Sequence, residues 1–240
     1  MFRIDSMTDI SIIIPTLNEE DKLKKCLLSV RNQKTDIDFE VIISDGNSND
    51  RTREIAEKYA DKILTVTKKG IWRARNQGAK SAKSEYLCFI DADTLLPRNY
   101  ISSVYPIISN DNSIAALSCA FTFDKTSRTL KAVESICNNY LAIKGISGKG
   151  EILGFNNVIR KSFFSKLGGF PNRPLEDGAL SIRMRRLGRV IFLNEPRVTT
   201  SARRFENGGV IKTTFYYAGL SLATNIPHET IKKIFSYKKV

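Results

Sequence analysis

The first ninety residues switch repeatedly between two spacings of apolar positions. Ile10-Ser-Ile-Ile-Ile14 is a short, β-branched apolar run, the pattern of a buried strand. Leu23, Leu27 and Val30 then recur at helical spacing. Phe39 to Ile43 repeats the strand pattern, and Asp50 stands where it can cap a helix carrying Ile55 and Tyr59. Ile63 to Val66 reads as a third strand. Ile71 to Ala82 reads as a helix with a small-residue face (Ala74, Gly78, Ala82), and Tyr86 to Ile90 as a fourth strand. Strand and helix alternating at this rhythm predict an α/β fold with a mostly parallel central sheet and right-handed crossovers.

In such sheets ligands sit beyond the carboxyl ends of the strands. Three polar segments fall there: Pro15-Thr-Leu-Asn-Glu19, Ser44-Asp-Gly-Asn-Ser48 and Asp91-Ala-Asp93. Their convergence on one crevice is a stronger signal than any one of them. No Gly-x-Gly-x-x-Gly follows the first strand and no Gly-x-x-x-x-Gly-Lys-Ser/Thr occurs, so a nucleotide is held without a dinucleotide fingerprint or a P-loop.

The second half is less regular. Ser113 to Phe123 holds one or two strands, and Thr129 to Ile143 is helical. Gly145 to Gly154 reads as a mobile glycine-rich stretch, and Glu176 to Leu187 as a helix. No internal repeat, low-complexity segment or linker divides the 240 residues, which can bury one substantial core. Residues 1–9 are polar and mixed, unlike a secretory leader, and no run of eighteen apolar residues marks a membrane span. Cys26, Cys88, Cys119 and Cys137 are scattered, which argues against a zinc knuckle or a disulfide framework and fits reduced thiols in the cytoplasm.

The formal charge of +13 admits nucleic acid, an anionic membrane or phosphorylated substrate, or simply a lysine-rich solvated surface. Without a zinc-finger or RNA-recognition pattern, nucleic acid is not an expected partner. Four groups could carry chemistry. Asp91 and Asp93, at i and i+2, point to one side if the strand continues, and could share a hard cation; a polar loop capping the next helix is the bland alternative. Glu176-Asp177 opens a helix pattern, where a carboxylate could take a proton from a hydroxyl or simply favour the helix dipole. Arg203-Arg204 could clamp a diphosphate or an acidic acceptor, or be a surface pair. Lys68-Lys69-Gly70 is a weaker version of the same case. His228, the only histidine, lies in a polar turn and has no nucleophile elbow to serve.

Together these segments resemble family 2 glycosyltransferases. The resemblance runs through Ser11 to Glu20, Val41 to Thr52, the Ala-Arg-Asn-x-Gly pattern within Gly70 to Gly78, and Asp91-Ala-Asp93. It continues through Gly154 to Arg160, Leu167-Gly-Gly-Phe170 and Glu176-Asp177, in the family's order. It implies a GT-A fold, a Rossmann-like architecture of nucleotide-diphospho-sugar transferases. Residues 10–205 would form that domain, with a nucleotide-binding half at 10–95, an acceptor half at 96–205, an extension at 1–9 and a helical tail at 206–240. It further implies a one-step inverting transfer from a nucleotide diphosphate sugar to a hydroxyl acceptor: a glycan, a small molecule or a lipid-linked group. Pro15, Thr16, Glu19, Asp45 and Arg75 would line the nucleotide pocket. Asp91 and Asp93 would manage ribose, diphosphate and a Mg2+ or Mn2+, with Asp93 the more direct ligand. Asp177 would be the catalytic base and Glu176 its neighbour.

Two departures stand out. Pro171-Asn172 follows Gly-Gly-Phe where many relatives carry an acidic residue, and Ser201-Ala-Arg-Arg204 stands where an additional histidine ligand would follow the last strand. A polyprenol-phosphate sugar synthase is the alternative within the superfamily; its anionic acceptor needs no base, so Glu176-Asp177 argues against it. A non-catalytic nucleotide-binding module is the alternative outside it. Val210 to Leu222 is apolar, with Ile211, Phe215, Ala218 and Leu222 at helical spacing, and could pack on the sheet as a closing helix. Ile231, Ile234 and Phe235 beside Lys232, Lys233, Lys238 and Lys239 then form a basic amphipathic pattern, and together the two suit a peripheral position on an anionic membrane.

Overall fold

The apolar runs of the first half become neighbouring strands. The structure, a computed structural model, describes residues 8–210, 212–214 and 216. Among the described residues the strands are β1 (Ile10–Thr16), β2 (Phe39–Asp45), β3 (Lys62–Thr65), β4 (Tyr86–Ile90), β5 (Ile114–Phe123), β6 (Asn156–Arg160) and β7 (Arg189–Thr200). The helices are α1 (Glu20–Arg31), α2 (Thr52–Glu57), α3 (Ile71–Ser81), α4 (Tyr100–Asn110), α5 (Arg128–Ile146), α6 (Lys161–Lys166), α7 (Glu176–Met184) and α8 (Arg203–Gly208). One sheet runs in the order β3-β2-β1-β4-β6-β5-β7. Its strands are parallel except β6, which is antiparallel to both β4 and β5.

Strand alternation sorts the isoleucines onto two faces. Ile12, Ile14, Val41 and Ile43 join Leu23, Leu27 and Val30 of α1 and Tyr100, Ile101 and Val104 of α4 in one core. Ile13, Ile42, Leu87 and Phe89 face the other way, onto Ala79 of α3, Phe164 of α6 and Leu180 and Met184 of α7. Helix α3 approaches closely because its inner face is small. A Cβ on Gly78 would collide with Ile13 Cγ2 and stand 2.8 Å from Ser44 Oγ, so glycine lets α3 lie across β1 and β2.

Four features go beyond the pattern read in sequence or depart from it. Helix α4 contains Pro106, which removes one backbone donor, yet Tyr100, Ile101, Val104 and Ile108 still bury one face. Arg160 closes its carboxyl end, donating to Ile108 O at 2.7 Å and Asp111 O at 3.2 Å. Strand β6 begins with two asparagines, poor strand formers, and is held by tertiary bonds: Asn156 accepts from Tyr100 Oη at 2.8 Å and donates to Cys119 O at 2.6 Å. The glycine-rich stretch expected to be mobile is tied down instead, with Gly150 N–H bonded to Val190 O at 2.7 Å. Helix α7 stops at Met184, short of Leu187. Most of Val210–Leu222 and all of 217–240, His228 included, lie outside the described residues, and with them the tail's membrane pattern.

The close approach of α3 yields a stability test. Gly78→Ala should destabilise the fold by about 1–3 kcal/mol through overpacking. Urea unfolding checks it, and an unchanged midpoint would show that α3 can back away freely.

Candidate active site

The strand order places β2, β1 and β4 side by side, so their polar carboxyl ends meet, as the sequence suggests. Pro15 can occupy β1 because its own position pairs with Ser44 of β2, while the pairing of β1 with β4 covers only Ser11, Ile12 and Ile13. The ends of β1 and β2 are laced together. Asp45 accepts from Thr16 Oγ1 at 3.0 Å, Ser48 N–H at 3.0 Å and Ser48 Oγ at 2.5 Å. Asn18 N–H reaches Ser48 Oγ at 2.9 Å, and Asn49 N–H returns to Asn18 Oδ1 at 2.9 Å. Asp45 is therefore buried and largely committed to shaping the two loops.

Asp91 and Asp93 follow β4 on a turn. The strand ends at Ile90, so they do not share a strand face, as the spacing would give in a continuing strand. They are held from two sides. Arg75 Nη2 donates to Asp91 Oδ1 at 2.8 Å, and Arg203 Nη2 reaches Asp93 Oδ2 at 3.3 Å and Glu19 Oε1 at 2.8 Å. Burial and then the charge of Asp91 push the Asp93 carboxyl up to about 6, and Arg203 and Arg204 pull against that shift.

Arg75 sits at the centre. It is buried on α3, and its Nη1 donates to Glu176 Oε1 at 2.5 Å while its Nη2 holds Asp91. Burial opposes its charge, but Asp91, Glu176 and Asp177 outweigh that and hold it above its ordinary value. The guanidinium lies 5.3 Å from the centre of the Phe170 ring. Its neighbour Asn76 fixes the Gly-Gly-Phe turn by a two-way bond, donating to Phe170 O and accepting from Phe170 N–H, both at 2.9 Å. Asn76 was not picked out by sequence reasoning as a site residue. The signal was a polar residue beside Arg75 on an otherwise packed helix.

Glu176 and Asp177 open α7, directly after Leu175, whose left-handed φ of 47° is strained for a leucine. Asp177 is half-buried, and its two oxygens accept from Gly154 N–H and Gly178 N–H, both at 2.8 Å. Burial raises its carboxyl above the ordinary range, against the pull of Arg75 and of those two N–H groups. Ser181 ties the helix back, accepting from Ile152 N–H at 2.7 Å and donating to Asp177 O at 2.8 Å.

The structure thus builds two charged groups at this end of the sheet, Arg75 with Asp91 and Glu176, and Arg203 with Glu19 and Asp93, with Asp177 next to Glu176 at the start of α7. Arg204 follows Arg203, exposed on α8. Lys68 lies apart, on a groove with Trp72, Arg73 and Lys161. Among the described residues no three His, Cys, Asp or Glu side chains converge as a metal shell of their own. The donor set is nevertheless made of hard carboxylate oxygens, and Asp93 carries a charge that burial and Asp91 disfavour. These features fit a divalent cation whose remaining ligands come from elsewhere.

Residues 11–168 match the family model described as Glycosyl transferase family 2. The chain belongs to that family. The probable glycosyltransferase YdaM of Bacillus subtilis is 30% identical over 198 residues, covering 75% of this chain and 47% of that protein. Glycosyltransferase AglE of Haloferax volcanii is 25% identical over 177 residues, 70% of this chain and 58% of AglE. The family 2 chain therefore spans about half the length of these curated relatives. Among solved structures, Staphylococcus aureus TarS superposes with a TM-score of 0.65 at 18% identity, over 85% of this chain and 38% of that one. Mannosyltransferase PcManGT from Pyrobaculum calidifontis, solved with GDP-Man and Mn2+, gives 0.64 at 18% identity, over 88% and 64%. The likeness shows the GT-A fold, a mixed, mostly parallel seven-strand sheet.

The crowding around Arg75 is testable without substrate. A Cβ on Gly154 would stand 2.8 Å from Arg75 Nη2 and 3.1 Å from Asp177 Oδ2. Gly154→Ala should cost about 1–3 kcal/mol of stability, read by thermal or chemical unfolding. Wild-type stability would mean that the two charged side chains have room to yield.

Proposed function

We propose that this family 2 chain transfers a sugar from a nucleotide diphosphate donor to a hydroxyl acceptor, by a single inverting displacement. The observation that carries the reading is the Arg75 bridge between Asp91 and Glu176, the immediate neighbour of the base candidate Asp177. Residues 10–95 supply the donor half, with Pro15, Thr16, Glu19 and Asp45 around base and ribose, and residues 96–205 the acceptor half. Solved neighbours support the donor class: TarS has been seen with UDP-GlcNAc and PcManGT with GDP-Man. The four cysteines are free thiols among the described residues, which suits a cytoplasmic enzyme.

In this reading the acceptor oxygen attacks the anomeric carbon while the bond from that carbon to the diphosphate oxygen breaks. The acceptor proton passes to Asp177, and the nucleoside diphosphate leaves with the bonding electrons. The Gly154 and Gly178 N–H groups orient the Asp177 carboxylate, and its raised affinity for protons suits that task. Glu176 keeps Arg75 in place and borders the acceptor. Asp91 and Asp93 would hold a Mg2+ or Mn2+, which when bound supplies counter-charge to the diphosphate. Arg203, which rests on Glu19 and Asp93, would face the same anion, and Arg204 would add positive charge beside it.

Two substitutions separate the roles. Asp177→Asn should lower turnover by roughly two to four orders of magnitude while donor affinity stays near wild type. Steady-state transfer assays with a panel of nucleotide sugars and hydroxyl acceptors measure both, and a variant that loses donor affinity instead would make Asp177 a binding residue. Donor turnover with Mn2+ should fall to background on adding EDTA or in Asp93→Ala, since the diphosphate loses its counter-charge. Undiminished turnover in EDTA would remove the metal from the mechanism, and no turnover of any donor would leave a binding module.

A further inference from the structure

Helix α5 buries Leu130, Val133, Leu141 and Gly145 against the sheet. Its opposite side carries Ile136, Tyr140, Ile143 and Ile146, which are 69%, 50%, 70% and 86% exposed. Elsewhere among the described residues the exposed large hydrophobics are isolated, and none exceeds 42%. The α5 residues recur at i, i+4, i+7 and i+10, so they form one stripe along about 15 Å of helix. Scattered surface leucines need no explanation, but a continuous apolar stripe does.

The charge balance around the stripe is positive. The only carboxylate of α5, Glu134, turns inward and accepts from Phe123 N–H at 2.5 Å. Arg128 and Lys131 are exposed at its first turn and Lys149 just beyond its last. Past Ile146 the stripe runs into an open groove of about 570 Å³ lined by Ser147, Lys149, Arg185, Arg186 and Arg189. The carboxylates there are already paired, Glu151 with Lys144 and Arg185, and Asp111 with Arg189. Tyr140 presents a half-exposed ring whose hydroxyl accepts from Lys144 Nζ at 3.0 Å, an apolar body with a polar tip.

We propose that α5 is a membrane-surface helix. Its stripe enters the boundary between headgroups and acyl chains of an anionic phospholipid bilayer, and the flanking lysines and arginines meet lipid phosphates. A second copy of the chain is disfavoured as the occupant, because a two-fold contact would set this basic face against itself. No residue of the glycosyl-transfer site takes part, so the proposal stands apart from the proposed reaction. It also differs from attachment through the lysines at 232 and 233.

The test is co-sedimentation of the full-length chain with vesicles of phosphatidylcholine alone or with a third phosphatidylglycerol. Wild type should pellet with the anionic vesicles at low salt and release at high salt, because screening weakens surface attraction. Ile143→Glu/Ile146→Glu and Lys149→Glu/Arg186→Glu should each lower the partition coefficient by about tenfold or more. All four side chains are at the surface, so circular dichroism and melting should match wild type. Wild type remaining in the supernatant overturns the proposal. So does wild-type binding by the α5 variants, or loss confined to Lys232→Glu/Lys233→Glu. A dimer that the α5 variants dissociate, with no lipid binding, assigns the stripe to a second copy instead.

Discussion

The buried guanidinium of Arg75 is the constraint on which the rest of this site depends. It is nearly sealed from solvent, and its two amino groups hold carboxylates from separate parts of the chain, Asp91 after β4 and Glu176 at the start of α7. Taking those charges out of water is costly, and a buried ion pair adds little net stability compared with a well-packed apolar core. Among the described residues its Nε finds no hydrogen-bond partner, a further cost. What the arrangement supplies is position. Asp91 and Glu176 cannot drift apart without leaving a buried cation half-paired.

Several neighbouring features make that position possible. Gly78 lets α3 approach β1 and β2, which brings Arg75 to the end of the sheet. Asn76 fixes the turn whose Phe170 ring lies against the guanidinium. Gly154 leaves room for Arg75 on one side and Asp177 on the other, while its N–H orients the Asp177 carboxylate. The Ala-Arg-Asn-x-Gly, Gly-Gly-Phe and Glu-Asp segments, far apart in sequence, thus describe one packed unit. Arg203 provides a looser counterpart on the solvent side, where it spans Glu19 and Asp93 on side chains that remain partly hydrated.

Much of this was legible in the sequence because the first half obeys local rules. Isoleucine runs make central strands, and helical spacing of Leu23, Leu27 and Val30 makes α1. Polar residues at three strand ends then mark the crevice. The second half resists such reading for physical reasons. Strand β6 begins Asn156-Asn157 and is held by side-chain bonds to Tyr100, Cys119 and Leu153, which no local pattern announces. Helix α4 survives Pro106 because its buried face outweighs one lost donor. The turn that carries Asp91 and Asp93 could not be told from a strand by their spacing alone. The exposed stripe of α5 was hidden as well, since helical spacing does not say which apolar face is covered.

The Arg75 bridge can be measured directly by a double-mutant cycle of Arg75→Met and Glu176→Gln, read as unfolding free energy in urea at neutral pH. If the guanidinium is the shared counter-charge, Arg75→Met should cost roughly 3–5 kcal/mol, because it strands buried carboxylates. Adding Glu176→Gln should recover part of that loss, with a coupling energy of about 2 kcal/mol or more. Costs that simply add, with coupling below about 0.5 kcal/mol, would contradict the account: Arg75 and Glu176 would then be neighbours without being partners.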